Sequence, residues 1–222
     1  MTAFIKICGL RTPPDIAAAA DAGATHAGFV FDTRSRRAVS PAEALVLKER
    51  ATVSLARVAV VTDATDAQLD AIFAALQPDI WQLHGTETPE RCAAVGRRFA
   101  RPVMKAFGIQ TEGDLAPLSL YSAAADFFLL DAKPPTVDAT APPGGHGRPF
   151  DWRLLAGWRA PRPWFLSGGL SPANVAAAVE TARALAVDVS SGVESASGAK
   201  DPALIRAFCQ TARRALQREA LA

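Results

Sequence analysis

Near its start the chain reads Lys6-Ile7-Cys8-Gly9, a thiol at the point where the first apolar run meets glycine. Lys6 stands two residues earlier, on the same face if the run is a β-strand. A later apolar run, DFFLLD, ends in Asp131. A free thiol titrates near pH ~8.5 and accepts a proton effectively only where positive charge or helix N–H groups favour the thiolate. Taken singly, Cys8 reads as a small buried hydrophobe and Asp131 as a strand-end carboxylate that binds loop N–H groups. As a pair across one cavity they read as base and acid. That pairing demands opposite protonation states, so Cys8 needs positive potential and Asp131 needs burial or nearby negative charge. Lys6 then either supports the thiolate or anchors a carboxylate, Asp188.

Two glycine-containing stretches add an anion site. Gly168-Gly169 precedes Ser171-Pro172, a helix-start signal, and Ser190-Ser191-Gly192 opens what reads as a short extra helix. N–H groups at helix starts attract anions, and glycine lets a phosphate approach the main chain. Each stretch alone is equally well a turn. Gln82 and His84 are two apart and share a strand face; His84 is either a catalytic base or a hydrogen-bonded core histidine. His26, at the start of a strand, reads as structural, and His146 lies in a long polar segment.

The elements that position these residues repeat. Apolar runs rich in Val, Ile and Phe occur at residues 4–8, 26–31, 55–61, 79–84, 102–107, 126–131, 163–167 and 184–189. Ala-rich amphipathic stretches alternate with them, opening at Ser40-Pro41, Thr88-Pro89, Ser171-Pro172 and Asp201-Pro202. The stretch EGDLAPLSLY is interrupted by Pro117, and FDWRLLAGW reads as a helix after the sixth strand. Eight βα units without a domain-scale linker predict one α/β domain over residues 1–222, a closed (β/α)8 TIM barrel. Active sites of such barrels lie at the C-terminal strand ends, and phosphate sites follow strands seven and eight. Cys8, Asp131, Gly168-Gly169 and Ser190-Ser191-Gly192 all fall there. The segment 133–149, rich in Pro, Gly and Thr, lies on the same side and reads as a lid.

Composition narrows the partners. The formal net charge is +2, with Arg34, Arg36 and Arg37 as the tight basic group. Three arginines suit a small acidic ligand rather than nucleic acid, which requires a basic face. Cys8, Cys92 and Cys209 have no CxxC or Cys/His spacing, so neither a disulfide framework nor a metal site is expected. A cytoplasmic setting follows, without a signal segment or the ~20 apolar residues that span a bilayer.

The motifs KICGLR, GFVF followed by SRR, QLHG, FLLD, GGHGRPFDW, FLSGGLSPANV and DVSSGVE occur in an order and spacing that resembles the phosphoribosylanthranilate isomerase family of tryptophan biosynthesis. The resemblance runs from Ile5 to the last helix. It implies an Amadori rearrangement of N-(5-phosphoribosyl)anthranilate, a phosphorylated small molecule, to 1-(2-carboxyphenylamino)-1-deoxyribulose 5-phosphate, without cofactor or metal, by a monomer or homodimer. It implies Asp131 as general acid at the furanose ring oxygen and Cys8 as general base at C2′. Arg37 would pair with the anthranilate carboxylate, Gly169, Ser190, Ser191 and Gly192 would hold the phosphate, and Asp188 a ribose hydroxyl. Gly168, Gln82 and His84 complete the expected substrate contacts. Asp32-Thr33 and His146 depart from the family pattern. The related isomerases of histidine biosynthesis resemble this chain less, because they place an aspartate where Cys8 stands. A catalytically dead, phosphate-binding barrel would more naturally have lost Cys8 or Asp131.

Overall fold

In the computed structural model, which describes residues 3–50, 55–133, 149–196 and 198–221, eight parallel strands close a barrel in chain order. They are β1 (Phe4–Cys8), β2 (His26–Val30), β3 (Ala56–Val61), β4 (Ile80–Leu83), β5 (Val103–Ile109), β6 (Phe127–Ala132), β7 (Trp164–Leu166) and β8 (Ala186–Val189). Every apolar run expected to be a strand is one. His84 and Ser167 lie one residue beyond β4 and β7, yet continue the ladder by donating their N–H to Val61 O and Leu130 O, each at 2.8 Å.

Helices α1 (Pro13–Asp21), α2 (Pro41–Arg50), α3 (Asp66–Leu76), α4 (Pro89–Phe99), α5 (Val175–Ala182) and α6 (Pro202–Glu219) cover the outside. Apart from α5, their starts are capped by side-chain oxygens that accept orphan N–H groups. Thr88 accepts from Arg91 N at 3.3 Å, and Asp201 from Ala203 N at 2.7 Å. Ser40 and Glu43 satisfy each other's backbone N–H reciprocally.

Three helix expectations are corrected. Residues Glu112–Tyr121 form a 3-10 segment, because Pro117 inside it lacks an N–H and would clash within an α-helix. Among the described residues between β6 and β7 only Trp152–Leu155 coils, as a 3-10 turn that Gly157 ends by donating to Leu155 O at 2.9 Å. Helix α5 starts at Val175, not at Ser171-Pro172. There Asn174 takes the N–H of Ser171 (2.8 Å) and donates to Gly169 O (2.9 Å), stapling a turn ahead of the helix. The expected lid, with His146, lies outside the described residues except for Lys133 and Pro149.

Alternation along each strand makes two cores. Ile5, Ile7, Phe29, Leu130 and Val187 face outward against the helices, while Val58, Ile80, Met104, Leu129 and Phe165 fill the barrel. Met104 and Leu129 have no exposed surface, and burying each stabilises the fold by about 1.5–3 kcal/mol. His26 closes the base, edge-on to Phe4 and Phe165 and 2.7 Å from Thr25 Oγ1. Burial holds it neutral, with its pKa down at about 4, so it is structural as expected. Among the described residues no helix is long and apolar enough to cross a membrane.

Candidate active site

The barrel interior turns polar toward the C-terminal strand ends. In the β1–β8 register Lys6 lies beside Asp188, and the Lys6 amine reaches Asp188 Oδ1 at 2.8 Å. Lys6 is fully buried. Burial disfavours its charge, but Asp188 and Cys8 outweigh that and hold its pKa above the ordinary value. Ser167 Oγ donates to Asp188 Oδ2 at 3.1 Å, so both carboxylate oxygens are engaged. Lys6 thus anchors Asp188, one of its two expected roles.

Cys8 sits directly above Lys6 on β1. Burial pushes its thiol pKa up, Lys6 pulls it down by charge and hydrogen bonding, Asp188 raises it and Lys200 lowers it. The net direction is up. The positive potential that base work at Cys8 requires is present, from Lys6 and Lys200, but desolvation exceeds it. Opposite Cys8 in the β1–β2 register is Gly28. A Cβ there would come within 2.9 Å of Cys8 Sγ and 3.1 Å of Lys6 Cε, so glycine makes the room both side chains occupy.

Asp131 enters from β6, with Oδ1 accepting from Ala132 N at 2.8 Å. His84 Nε2 lies 3.7 Å from Asp131 Oδ2. Burial and Lys105 hold the imidazole pKa down at about 4, so this is a contact with a neutral ring rather than an ion pair. Gln82 Nε2 is 3.0 Å from His84 Nδ1; with the amide donating, the imidazole proton sits on Nε2, toward Asp131. Gln82 Oε1 is buried without a partner among the described residues, an acceptor awaiting a donor from the cavity.

Cys8, Gln82, His84, Asp131, Asp188 and Arg37 line one cavity together with Gly168, Gly169, Ser190 and Ser191. Gly168 and Gly169 turn the chain with φ of 84° and 65°. Ser191–Val193 forms the expected short coil as a single 3-10 turn. Gly192 does not line the cavity; it packs behind the site, where a Cβ would run into the Leu170 carbonyl and hold the two loops apart. Among the described residues no group of three or more His, Cys, Asp or Glu is arranged to hold a metal ion.

Arg37 is fixed by a residue that the motif reading left without a role. Glu194 accepts from Arg37 Nε at 2.6 Å and Nη2 at 3.1 Å, and also binds Arg36 and Lys200. Glu194 closes the DVSSGVE motif, which was the available signal. Lys200 had none in its local sequence. The departure at Asp32 is filled by a local fork: Asp32 binds Arg34 through Nε (2.9 Å) and Nη2 (2.7 Å), and its carbonyl accepts from Ser35 N at 2.9 Å. A second buried pair, Lys105 and Glu87 at 3.0 Å, pins the loop after β4: Lys105 donates to Gly85 O at 2.8 Å. A lysine inside the apolar run PVMKAF marked it in the sequence.

Comparison with known proteins agrees with this geometry. The family model described as N-(5'phosphoribosyl)anthranilate (PRA) isomerase matches residues 5–211. The N-(5'-phosphoribosyl)anthranilate isomerase of Cereibacter sphaeroides is 53% identical over 94% of this chain and 98% of its own length. That of Parvibaculum lavamentivorans is 48% identical over 97% of this chain and all of its own. Among solved structures, the phosphoribosyl anthranilate isomerase of Thermotoga maritima superposes with a TM-score of 0.85 at 34% identity, over 96% of this chain and 100% of that one. A phosphoribosyl anthranilate isomerase in complex with reduced 1-(o-carboxyphenylamino)-1-deoxyribulose 5-phosphate gives 0.82 at 32% identity, over the same shares. The chain belongs to the N-(5'-phosphoribosyl)anthranilate isomerase family, aldose–ketose isomerases of tryptophan biosynthesis.

Proposed function

We propose that this isomerase works with Asp131 as general acid and Cys8 as general base. The observation that carries the reading is that a carboxyl on β6 and a thiol on β1 enter one cavity from separate strand ends. Asp131 delivers its proton to the furanose ring oxygen, and the ring opens to a protonated Schiff base. Cys8 then removes the C2′ proton, giving an enolamine that tautomerises to the ketone. The positive Schiff base forms next to Cys8 and adds to the pull of Lys6 and Lys200, offsetting the burial that keeps the resting thiol protonated. Each proton transfer contributes about 10²–10⁴-fold in rate.

Substrate placement follows from the same wall. Arg37 presents its remaining guanidinium edge to the anthranilate carboxylate. Main-chain N–H groups of Gly169, Ser190 and Ser191 take the phosphate, with Gly168 allowing the close approach and Gly192, expected among them, instead letting the Leu170 loop pack behind the site. Asp188 keeps further lone pairs for a ribose hydroxyl, and the unpartnered Gln82 oxygen accepts from a second one. The neutral His84 lines the acid side. All these residues come from one chain, so either a monomer or a homodimer is competent, and the reduced cysteines suit a cytoplasmic enzyme.

The test is turnover of N-(5-phosphoribosyl)anthranilate, followed by loss of substrate fluorescence, in wild type, Cys8→Ala and Asp131→Asn. Each variant is expected to lose about 10²-fold or more in kcat. Undiminished turnover in either variant overturns its assigned role.

A further inference from the structure

Glu194 gathers three cations on one carboxylate: Arg37, Arg36 Nη2 at 2.6 Å and Lys200 Nζ at 2.9 Å. The Glu194 and Lys200 side chains are each only 3% exposed. Lys200 also donates to Ser190 O at 2.9 Å, so the carboxylate is held from behind by the loop after β8. The Arg37 stem lies against Gly9, where a Cβ would come within 2.6 Å of Arg37 Cδ. Arg37 is thus clamped between the Gly9 main chain and Glu194. Glu194 occupies Nε and one Nη2 hydrogen, the side edge of the guanidinium. That leaves Nη1 and the second Nη2 hydrogen, the end fork, which matches a carboxylate bidentately. An arginine has many rotamers, and fixing the fork before binding removes that ordering cost from the encounter.

We propose that Glu194, braced by Lys200, is a positioning residue that sets specificity for arylamine substrates carrying an ortho carboxylate. The inference rests on the reading of Arg37 as the carboxylate's partner. Its readout is the preference, in kcat/KM, for N-(5-phosphoribosyl)anthranilate over N-(5-phosphoribosyl)aniline, which lacks the carboxylate. Ketose product from both is measured by mass spectrometry.

In Glu194→Gln the preference is expected to fall about 10- to 100-fold, mainly through KM of the natural substrate, the scale of a lost charge-assisted contact. Glu194→Asp keeps the charge but shortens the reach, and is expected to lose less; it decides the matter if Glu194→Gln fails to fold. Equal losses on both substrates, or an unchanged preference, overturn the inference. Arg37→Met separates the two readings. If it leaves the preference intact, the role of Arg37 falls and this inference with it. If it collapses the preference while both Glu194 variants retain it, only the inference about Glu194 falls.

Discussion

Replacing Lys6 by methionine keeps most of the side-chain volume and removes a cation that binds Asp188 and pulls the Cys8 thiol pKa down. Two consequences follow. The first concerns stability: the 2.8 Å pair with Asp188 is buried, and breaking a buried pair by deleting one partner costs about 3–5 kcal/mol. The double variant Lys6→Met/Asp188→Asn, which leaves no unpaired charge, is expected to recover much of that loss. The second concerns the base. A hydrogen bond to a charged group contributes about 1.5–3 kcal/mol, or roughly one to two pK units. Lys6→Met is therefore expected to raise the Cys8 pKa by about that much, and to cut the thiolate fraction about 10- to 100-fold at any pH below it.

Alkylation by iodoacetamide against pH reads the thiolate directly. Cys92 and Cys209 are fully buried, and burial lifts each to about 11, so the rate reports Cys8. The midpoint in Lys6→Met should move upward, and the pH dependence of kcat/KM should move with it. The double variant should regain stability without regaining the lower midpoint in full, because Asp188 raises the thiol pKa only in part. An unmoved alkylation midpoint in folded Lys6→Met refutes the argument that Lys6 supplies the potential at Cys8.

Gly28→Ala places a methyl 2.9 Å from Cys8 Sγ and 3.0 Å from Cys8 Cα; we expect a loss of about 1–3 kcal/mol in a denaturant titration, with a larger fall in kcat than stability alone explains. Acid should also weaken the fold through His26 and His84, both held at about 4 in the folded state. The unfolded chain binds those protons near pH ~6.5, so stability falls as pH drops from there toward ~4, by about 3 kcal/mol for each histidine, and levels off below. Melts of His26→Phe across that window should show about half the slope, and an unchanged slope refutes the assignment.

Local periodicity determined the strands and, to within a residue or two, their ends, and with them the addresses of Cys8, Gln82, His84, Asp131 and Asp188. Alternation over five residues is enough to send Lys6 and Cys8 to the same side, and an apolar run ending in Asp131 puts a carboxyl at a strand mouth whatever follows. The motif DVSSGVE likewise announced its loop. Which groups those side chains would meet was not local. Lys6 and Asp188 are 182 residues apart, and Arg37 and Glu194 are 157 apart. They meet only because β8 closes on β1 and fixes the register. The protonation of Cys8 depended on the same closure, since burial and the charges of Lys6, Asp188 and Lys200 act on it together. Helix content also changed in context: Pro117 confined one stretch to 3-10 geometry, and Asn174 delayed α5 by stapling the turn before it. Sequence patterns of period two and 3.6 report on neighbours a few residues away. Proton affinity and side-chain pairing report on neighbours in space, which only the closed barrel decides.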